Sequence, residues 1–258
     1  MAGAFYSDDP DLLRAELLGY LEGKVADGPP PKALIVPHAG YMYSGAVAAA
    51  AYARLGASAG GIRRVILLGP AHQVFVEGMA LPRSRAFLTP LGEVPLDRET
   101  LDQMGRRPGV RFDDEAHRLE HSLEVQLPFL QILLGDFLLV PILIGESDPE
   151  DVAGLLEAYR GGPETLILVS SDLSHFMSYE EAARIDAATC RSIEALRAEG
   201  WSRENACGRI PILGLLHLAR RLNMKVETLD LKSSGDTAGG RDRVVGYGAW
   251  SFHERTKE

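Results

Sequence analysis

Residues 165–175 read TLILVSSDLSH, and the fold prediction depends on this stretch. Its first five residues are apolar or β-branched, which is typical of a strand buried on both faces of a sheet. Small polar residues end the predicted strand, and His175 follows them. The same arrangement occurs twice more, because one apolar run leads to His38 and another leads to His72. The sequence therefore contains three strand ends that are each followed by a histidine.

Strand-length apolar runs alternate with helical patterns along the whole chain. The predicted strands are Ala33–Val36, Val65–Leu68, Phe137–Ile144, Thr165–Val169, Val226–Leu231 and Val244–Phe252. The predicted helices are Asp11–Leu21, Ala46–Leu55, Leu119–Leu134, Pro149–Tyr159, Tyr179–Ala198 and Ala206–Leu222. Such alternation predicts an α/β fold with a central, largely parallel or mixed sheet and helices on both faces. No linker-like segment divides the chain, so residues 1–258 are predicted to form one domain.

The three histidines after strand ends form a candidate site. In open α/β sheets, ligands bind outside the carboxyl ends of the strands. If the three strands are parallel and adjacent, His38, His72 and His175 converge there. Histidine is the commonest metal ligand and titrates near neutral pH, so the cluster fits metal coordination or proton transfer. Any one of them alone could be a turn histidine that is hydrogen-bonded to the backbone. The same placement after a strand three times favours a functional site.

Cys207 is a further candidate ligand. It stands near the predicted start of an apolar helix, where the helix dipole favours a thiolate over a thiol. The alternative is a small, buried core residue, and the sequence itself does not decide between the two. Cys190 lies within an amphipathic helical pattern and is predicted to be structural.

Composition excludes several classes of protein. The net charge is −9, and Lys and Arg are not clustered, which argues against binding to nucleic acid or to an anionic membrane surface. No apolar run reaches the ~18 residues of a membrane-spanning helix, and the first residues do not resemble a signal peptide. The two cysteines are far apart and form no disulfide framework. We therefore expect a cytoplasmic protein.

Two local patterns suggest other activities. His117-Arg-Leu-Glu-His121 matches the H-x-x-E-H motif of inverted zinc peptidases, although His117 falls in a polar stretch that we expect to be non-helical. The serines around Asp172 and His175 lack the G-x-S-x-G motif of serine hydrolases. The chain has neither a G-x-G-x-x-G nor a P-loop motif, so nucleotide binding lacks its usual signatures.

Five ordered motifs resemble those of the Memo family. They are Pro37-His38-Ala39-Gly40-Tyr41-x-Tyr43-Ser44-Gly45, Leu68-Gly69-Pro70-x-His72, Glu120-His121-Ser122-x-Glu124-x-x-Leu127-Pro128, Ser170-Ser171-Asp172-x-x-His175 and Cys207-Gly208-x-x-Pro211-Ile212. The resemblance covers essentially the whole chain. It implies a fold like that of class III extradiol dioxygenases and a functional link to other proteins of the AmmeMemoRadiSam system, in which prokaryotic members are named protein B.

The resemblance also assigns roles to residues. It implies that His38, His72 and Cys207 bind one metal ion, and that His175 is the acid/base group, assisted by Asp172. His121, Glu120 and Tyr41 belong to the shared motifs and are candidate substrate-binding residues. His117 lies outside these motifs, which weakens the peptidase interpretation.

A thiolate in the ligand set limits the conclusions that the dioxygenase resemblance allows. Those enzymes hold iron with two histidines and a carboxylate. A softer sulfur ligand favours copper and zinc and shifts the iron potential, so the fold does not by itself imply ring cleavage. We expect a redox enzyme that uses Fe(II) first, with copper or zinc as alternatives, and acts on a small molecule. The alternatives are a non-catalytic protein that binds metal or a peptide in the same pocket, and a metal-dependent hydrolase.

Overall fold

A mixed β-sheet forms the centre of the molecule. The computed structural model describes residues 1–24 and 28–255. The strands are β1 (Ala33–Val36), β2 (Arg64–Pro70), β3 (Met79–Leu81), β4 (Ala86–Thr89), β5 (Gly92–Pro95), β6 (Val110–Phe112), β7 (Leu138–Ile144), β8 (Thr165–Ser170), β9 (His175–Met177), β10 (Lys225–Ser233) and β11 (Val244–His253). The main sheet has the order β10-β11-β1-β8-β2-β7-β3-β6, with β9 paired to β11, while β4 and β5 form a separate hairpin.

The four central strands β1, β8, β2 and β7 are parallel, and antiparallel strands flank them. Every residue of β1 and β8 is buried, as expected for strands covered on both faces. The register pairs Ile35 with Val169 and Leu67 with Leu168, so β8 lies between β1 and β2. The three strands that precede the histidines are therefore adjacent and parallel, and their carboxyl ends lie at one edge of the sheet.

Helices flank the sheet, as the sequence predicts for this α/β class. They are α1 (Pro10–Leu21), α2 (Tyr41–Ala53), α3 (Arg98–Met104), α4 (Asp114–Arg118), α5 (His121–Glu124), α6 (Leu127–Leu134), α7 (Pro149–Tyr159), α8 (Tyr179–Glu194) and α9 (Arg209–Arg221). Helix α9 packs on α7 and on the parallel strands, while α2 packs on α1 and β11. No helix in the described part of the chain is long and apolar enough to span a membrane.

The six predicted strands are all present, with bounds that differ from the prediction by at most two residues. The short strands β3, β6 and β9 and the β4–β5 hairpin were not predicted, because three or four residues carry too little periodicity to be recognised. Helix α2 begins at Tyr41 rather than Ala46. This earlier start places the predicted substrate residue Tyr41 in the first turn of a helix.

The prediction of one helix over Leu119–Leu134 was wrong. The chain forms α5 and α6 there instead, with short breaks between α4, α5 and α6. Glu120 is the N-cap of α5 and accepts a hydrogen bond from the backbone N–H of Ser122, which fixes a new helix start. Pro128 has no N–H to donate and occupies the first turn of α6, so it favours another start there. His117 lies in α4, so the expectation that it is non-helical was also wrong.

Candidate metal centre

Three imidazole rings converge at the carboxyl edge of the parallel strands. His38 follows β1, His72 follows β2, and His121 begins α5. The ring centroid of His38 lies 5.3 Å from that of His72 and 5.3 Å from that of His121, and the His72 and His121 rings stack at 4.8 Å. Each ring has one nitrogen in a set that lies within 4.8 Å of one another. Nitrogens at about 2.1 Å from one ion can be at most about 4.2 Å apart, so small side-chain movements would let these three hold a metal ion.

The hydrogen bonds of His38 fix which ring nitrogen is free. The Ser170 hydroxyl lies 2.5 Å from the Ser122 carbonyl, which can only accept, so Ser170 donates its proton there. Ser170 Oγ lies 2.8 Å from Nδ1 of His38 and must accept from it. Nε2 of His38 is consequently unprotonated and available to a metal. Burial, and then the neighbouring His72 and His121, keep the pKa of His38 well below its usual value, so the ring is neutral.

Glu120 orients the other two histidines. One carboxylate oxygen lies 2.9 Å from Nδ1 of His72 and 3.4 Å from Nδ1 of His121. The other accepts a hydrogen bond from the backbone N–H of His72 at 2.6 Å. Burial alone would raise the pKa of Glu120, but the His72 side chain and the backbone N–H of Ser122 lower it to about 2. A carboxylate behind a histidine sets its tautomer and increases its basicity as a ligand.

A role of Glu120 and His121 in substrate binding stays a prediction. Both were predicted to bind substrate, whereas His121 lies within the group of potential ligands and Glu120 lies behind it. The sequence does not reveal this, because His121 does not follow a strand. Only the return of the chain to the end of β2 after α4 brings it to the site, where Phe5 stacks on its ring at 4.7 Å.

Cys207 lies next to His38. Its Sγ is 3.3 Å from Nε2 of His38 and 3.7 Å from the hydroxyl of Ser171. A Cβ on Gly208 would lie 2.6 Å from the Ser171 side chain, so only glycine allows this close approach to the end of β8. The structure thus brings Cys207 next to His38, while the group of three mutually close ligand atoms is His38, His72 and His121.

The structure does not place Cys207 at the start of a helix, so the helix dipole gives no support for a thiolate there. Helix α9 begins only at Arg209, so Cys207 precedes its first turn. Burial, and then the negative charge of Asp172, raise the pKa of the Cys207 thiol to about 12. Coordination of a metal by Sγ would therefore release a proton.

Asp172 and His175 lie in the loop after β8, beside the same cluster. Asp172 is buried, and one carboxylate oxygen accepts the backbone N–H of His38 at 2.8 Å. Burial raises the pKa of Asp172 to about 6, although that hydrogen bond and the nearby His175 oppose the rise. Nδ1 of His175 lies 2.8 Å from the carbonyl of Leu173, which can only accept. Nδ1 therefore carries the proton, and Nε2 of His175 is free to act as a base.

Two other residues singled out in the sequence have their polar atoms engaged elsewhere. The Tyr41 side chain is buried, and its hydroxyl donates to the carbonyl of Val125 at 2.7 Å. A role of Tyr41 in substrate binding stays a prediction. Nε2 of His117 lies 3.0 Å from the carbonyl of Ala80. Within residues 1–24 and 28–255, His117 belongs to no group of three potential ligands, so the H-x-x-E-H pattern does not form a zinc site there.

Gln126 and Ser170 were not predicted as parts of the site. Nε2 of Gln126 donates to Ser170 Oγ at 2.8 Å and to the carbonyl of Pro37 at 2.9 Å. Tyr52 donates to Oε1 of Gln126 at 2.6 Å, which fixes the amide orientation. The signal in the sequence is a single glutamine within the apolar run 125–130. A buried amide usually has a hydrogen-bonding role, and here it holds the serine that contacts His38.

The fold and the site define an α/β protein with a three-histidine group that could hold a metal ion at the carboxyl edge of its sheet. A model of the Memo-like protein family matches residues 1–251, and the chain belongs to the Memo family. A MEMO1 family protein of Sulfolobus acidocaldarius is 37% identical over 272 residues, which cover 96% of this chain and 95% of the relative. MEMO1 family proteins of Sulfurisphaera tokodaii and Saccharolobus solfataricus are each 35% identical. They align with 96% and 98% of this chain and with 95% and 97% of their own lengths, respectively.

The fold also resembles that of a solved structure. An uncharacterized protein from Escherichia coli K12 aligns with a TM-score of 0.51 and 13% sequence identity. The match covers 85% of this chain and 98% of the other. At this identity the similarity concerns the fold alone, and it confirms the predicted α/β class, consistent with a fold like that of the extradiol dioxygenases.

Proposed function

We propose that this Memo-family protein is a redox metalloenzyme that binds one ion, Fe(II) first and copper as the alternative, and acts on a small molecule. His38, His72 and Cys207 are the proposed ligands, with His121 next to them. One observation carries the proposal: Nε2 of His38 lies 3.3 Å from the Cys207 thiol, and one ring nitrogen of His38 lies within 4.8 Å of ring nitrogens of His72 and His121. Imidazole suits iron, copper and zinc, and a thiolate adds preference for the softer ions.

The surrounding residues can support a reaction at such an ion. A bound Fe(II) or copper ion would supply electron transfer and polarise a substrate oxygen. His175, with Nε2 unprotonated, is the proposed base that accepts a proton from the substrate. Asp172 holds the backbone of His38 and contributes a nearby negative charge that would stabilise the protonated form of His175. Glu120 keeps His72 in one tautomer throughout.

A protein that binds metal without turnover is the second candidate. The position of the Cys207 thiol next to His38 favours it, because a sulfur ligand can retain Cu(I) or Zn tightly. It predicts the same metal content and the same effect of ligand substitutions, but no consumption of oxygen. This candidate gives no role to His175, which lies next to the cluster.

The decisive experiment combines metal analysis with an activity assay. Protein purified without added metal is analysed for iron, copper and zinc, and is then loaded anaerobically with one equivalent of each in turn. Oxygen consumption is followed with catechols and a reductant. We expect about one ion per chain and oxygen consumption only with iron or copper. Hydrolysis of ester or peptide substrates by the zinc form, assayed in parallel without oxygen, would instead indicate a hydrolase, and bound metal without either reaction would favour the binding protein.

A further inference from the structure

A pocket opens beside the candidate metal centre, on the side of His72 and Cys207. It has a volume of about 310 Å³, and both of these residues contribute to its wall. The rest of the wall is mostly apolar, with Val74, Phe75 and Ile210 among its side chains. Binding pockets for small molecules are typically apolar with a few polar groups that set orientation. This pocket therefore connects apolar surface directly to two of the proposed ligands.

Two arginines in the wall of the pocket differ in their environment. Arg203 is 83% exposed and forms an ion pair with Glu146 at 2.8 Å. Arg209, at the first turn of α9, is half-buried, and none of the residues in 1–24 and 28–255 forms a hydrogen bond or ion pair with its guanidinium. No guanidinium nitrogen of Arg209 is buried without a partner, so its N–H donors remain accessible to a ligand in the pocket. Of the two arginines in this wall, Arg209 is therefore the one without a partner in the described part of the chain.

The charges of the pocket indicate one negative charge on its ligand. Glu146 neutralises Arg203, which leaves the single positive charge of Arg209. A carboxylate matches that charge and can accept two parallel hydrogen bonds from a guanidinium. A phosphate dianion would leave one charge uncompensated against apolar walls. The pocket volume of about 310 Å³ corresponds to roughly 10 water-sized groups of about 30 Å³ each, so it accommodates a ligand of roughly 10 non-hydrogen atoms.

We propose that this pocket binds a small monocarboxylate with an apolar body, whose carboxylate pairs with Arg209 and whose other end reaches the metal centre. Arg209 is then a residue that determines substrate specificity. The orientation of the ligand rests on the metal site of the proposed function, whereas the pairing with Arg209 does not need a metal. The two can therefore be tested separately.

The test compares two probes that differ only in charge. Binding of 4-hydroxybenzoate and of its neutral analogue 4-hydroxybenzamide is measured by calorimetry, with apo protein and with protein loaded with redox-inert zinc. We expect the carboxylate to bind at least tenfold more tightly than the amide in both forms, since a hydrogen bond to a charged group contributes about that much. Arg209→Gln should abolish this preference and leave zinc stoichiometry and amide binding unchanged. The double variant Glu146→Gln/Arg203→Gln, which removes the neutral ion pair as a unit and leaves the net charge of the pocket unchanged, is the matched control and should keep the preference.

Each outcome decides the proposal. Equal affinity for the two probes, no binding of either, or an unchanged preference in Arg209→Gln would overturn it. Loss of the preference in Glu146→Gln/Arg203→Gln but not in Arg209→Gln would assign the anion to Arg203 and overturn the proposal as well. If the wild-type protein binds no metal but still prefers the carboxylate in the apo form, the proposed function fails while the role of Arg209 is supported.

Discussion

The hydroxyl of Ser170 lies 2.8 Å from Nδ1 of His38 and accepts a hydrogen bond from it, because Ser170 donates its own proton to the carbonyl of Ser122. A serine at the end of β8 thus sets the tautomer of a histidine at the end of β1. Substitution Ser170→Ala removes this acceptor and lets the ring of His38 rotate or change tautomer. Partners of this kind typically change metal affinity 10- to 100-fold, and we expect a loss in that range by competition with a chromophoric chelator. Ser251→Ala is the control, because Ser251 is equally buried on β11 but contacts His253. An equal loss in both variants would contradict a specific role of Ser170.

Substitution of the candidate ligands identifies the set that binds the metal. His38→Ala and His72→Ala should each reduce metal content to well below one ion per chain, because both residues belong to every ligand set considered. Cys207→Ser should weaken Cu(I) and Zn more than Fe(II), since it removes the soft ligand and leaves three imidazoles. His121→Ala should have the smallest effect of the four, because the Cys207 sulfur remains 3.3 Å from His38. Complete metal loss in His121→Ala with retention in Cys207→Ser would establish the three-histidine set instead.

Substitution of His175 separates metal binding from proton transfer. His175→Ala should keep the metal stoichiometry of the wild-type protein and abolish oxygen consumption, because Nε2 is the proposed base. Elemental analysis and the oxygen electrode are applied to the same preparation. If His175→Ala loses metal as fully as His38→Ala does, His175 is a ligand and its proposed role as the base is contradicted.

His117 is half-buried, and its ring is held by a hydrogen bond and by packing. Nε2 donates to the carbonyl of Ala80 at 3.0 Å, and the ring packs near Phe87. We expect His117→Ala to lower the free energy of unfolding by about 1 kcal/mol, the net value of one hydrogen bond with some packing, and to leave metal content unchanged. Urea unfolding with elemental analysis measures both. A drop in metal content comparable to that of His72→Ala would revive the zinc-peptidase interpretation.

Asp186, which is not one of the proposed metal ligands, should make the free energy of unfolding depend on pH. Its carboxylate is buried and accepts the backbone N–H of Ser174 at 3.1 Å. Burial raises the pKa of Asp186 from 3.8 to about 6, so between these values the folded chain binds more protons than the unfolded chain. The contribution of this group to stability is therefore greatest below pH 4 and decreases as the pH rises through 6.

The Asp186→Asn variant tests this pH dependence, because the amide is similar in shape and does not titrate. Relative to the wild-type protein, the free energy of unfolding of the variant should increase by up to about 3 kcal/mol between pH 4 and pH 7. Urea unfolding at several pH values gives the difference. A constant difference over this range would show that the carboxylate does not titrate in the folded protein.

The sequence by itself determined the strands and the edge of the sheet where the site lies. Runs such as Thr165–Val169 are apolar without interruption, and such a run is stable only in the interior of a sheet. His38, His72 and Asp172 come directly after such runs, so local chain direction places them at the carboxyl edge. The motifs that contain these residues also indicated the Memo family without any knowledge of tertiary contacts.

Tertiary structure decided which groups meet and in what state. His121 and Glu120 reach the cluster only because the chain returns to the end of β2, and no periodic pattern encodes that return. Whether Cys207 is a thiol or a thiolate depends on burial and on the charge of Asp172, which residues distant in sequence create together. The absence of a protein partner for Arg209 within the described part of the chain likewise depends on how α9 packs beside the end of β2. Sequence patterns report local conformation and average burial, whereas pKa values and ligand geometry depend on atoms that only the folded chain brings within a few ångströms.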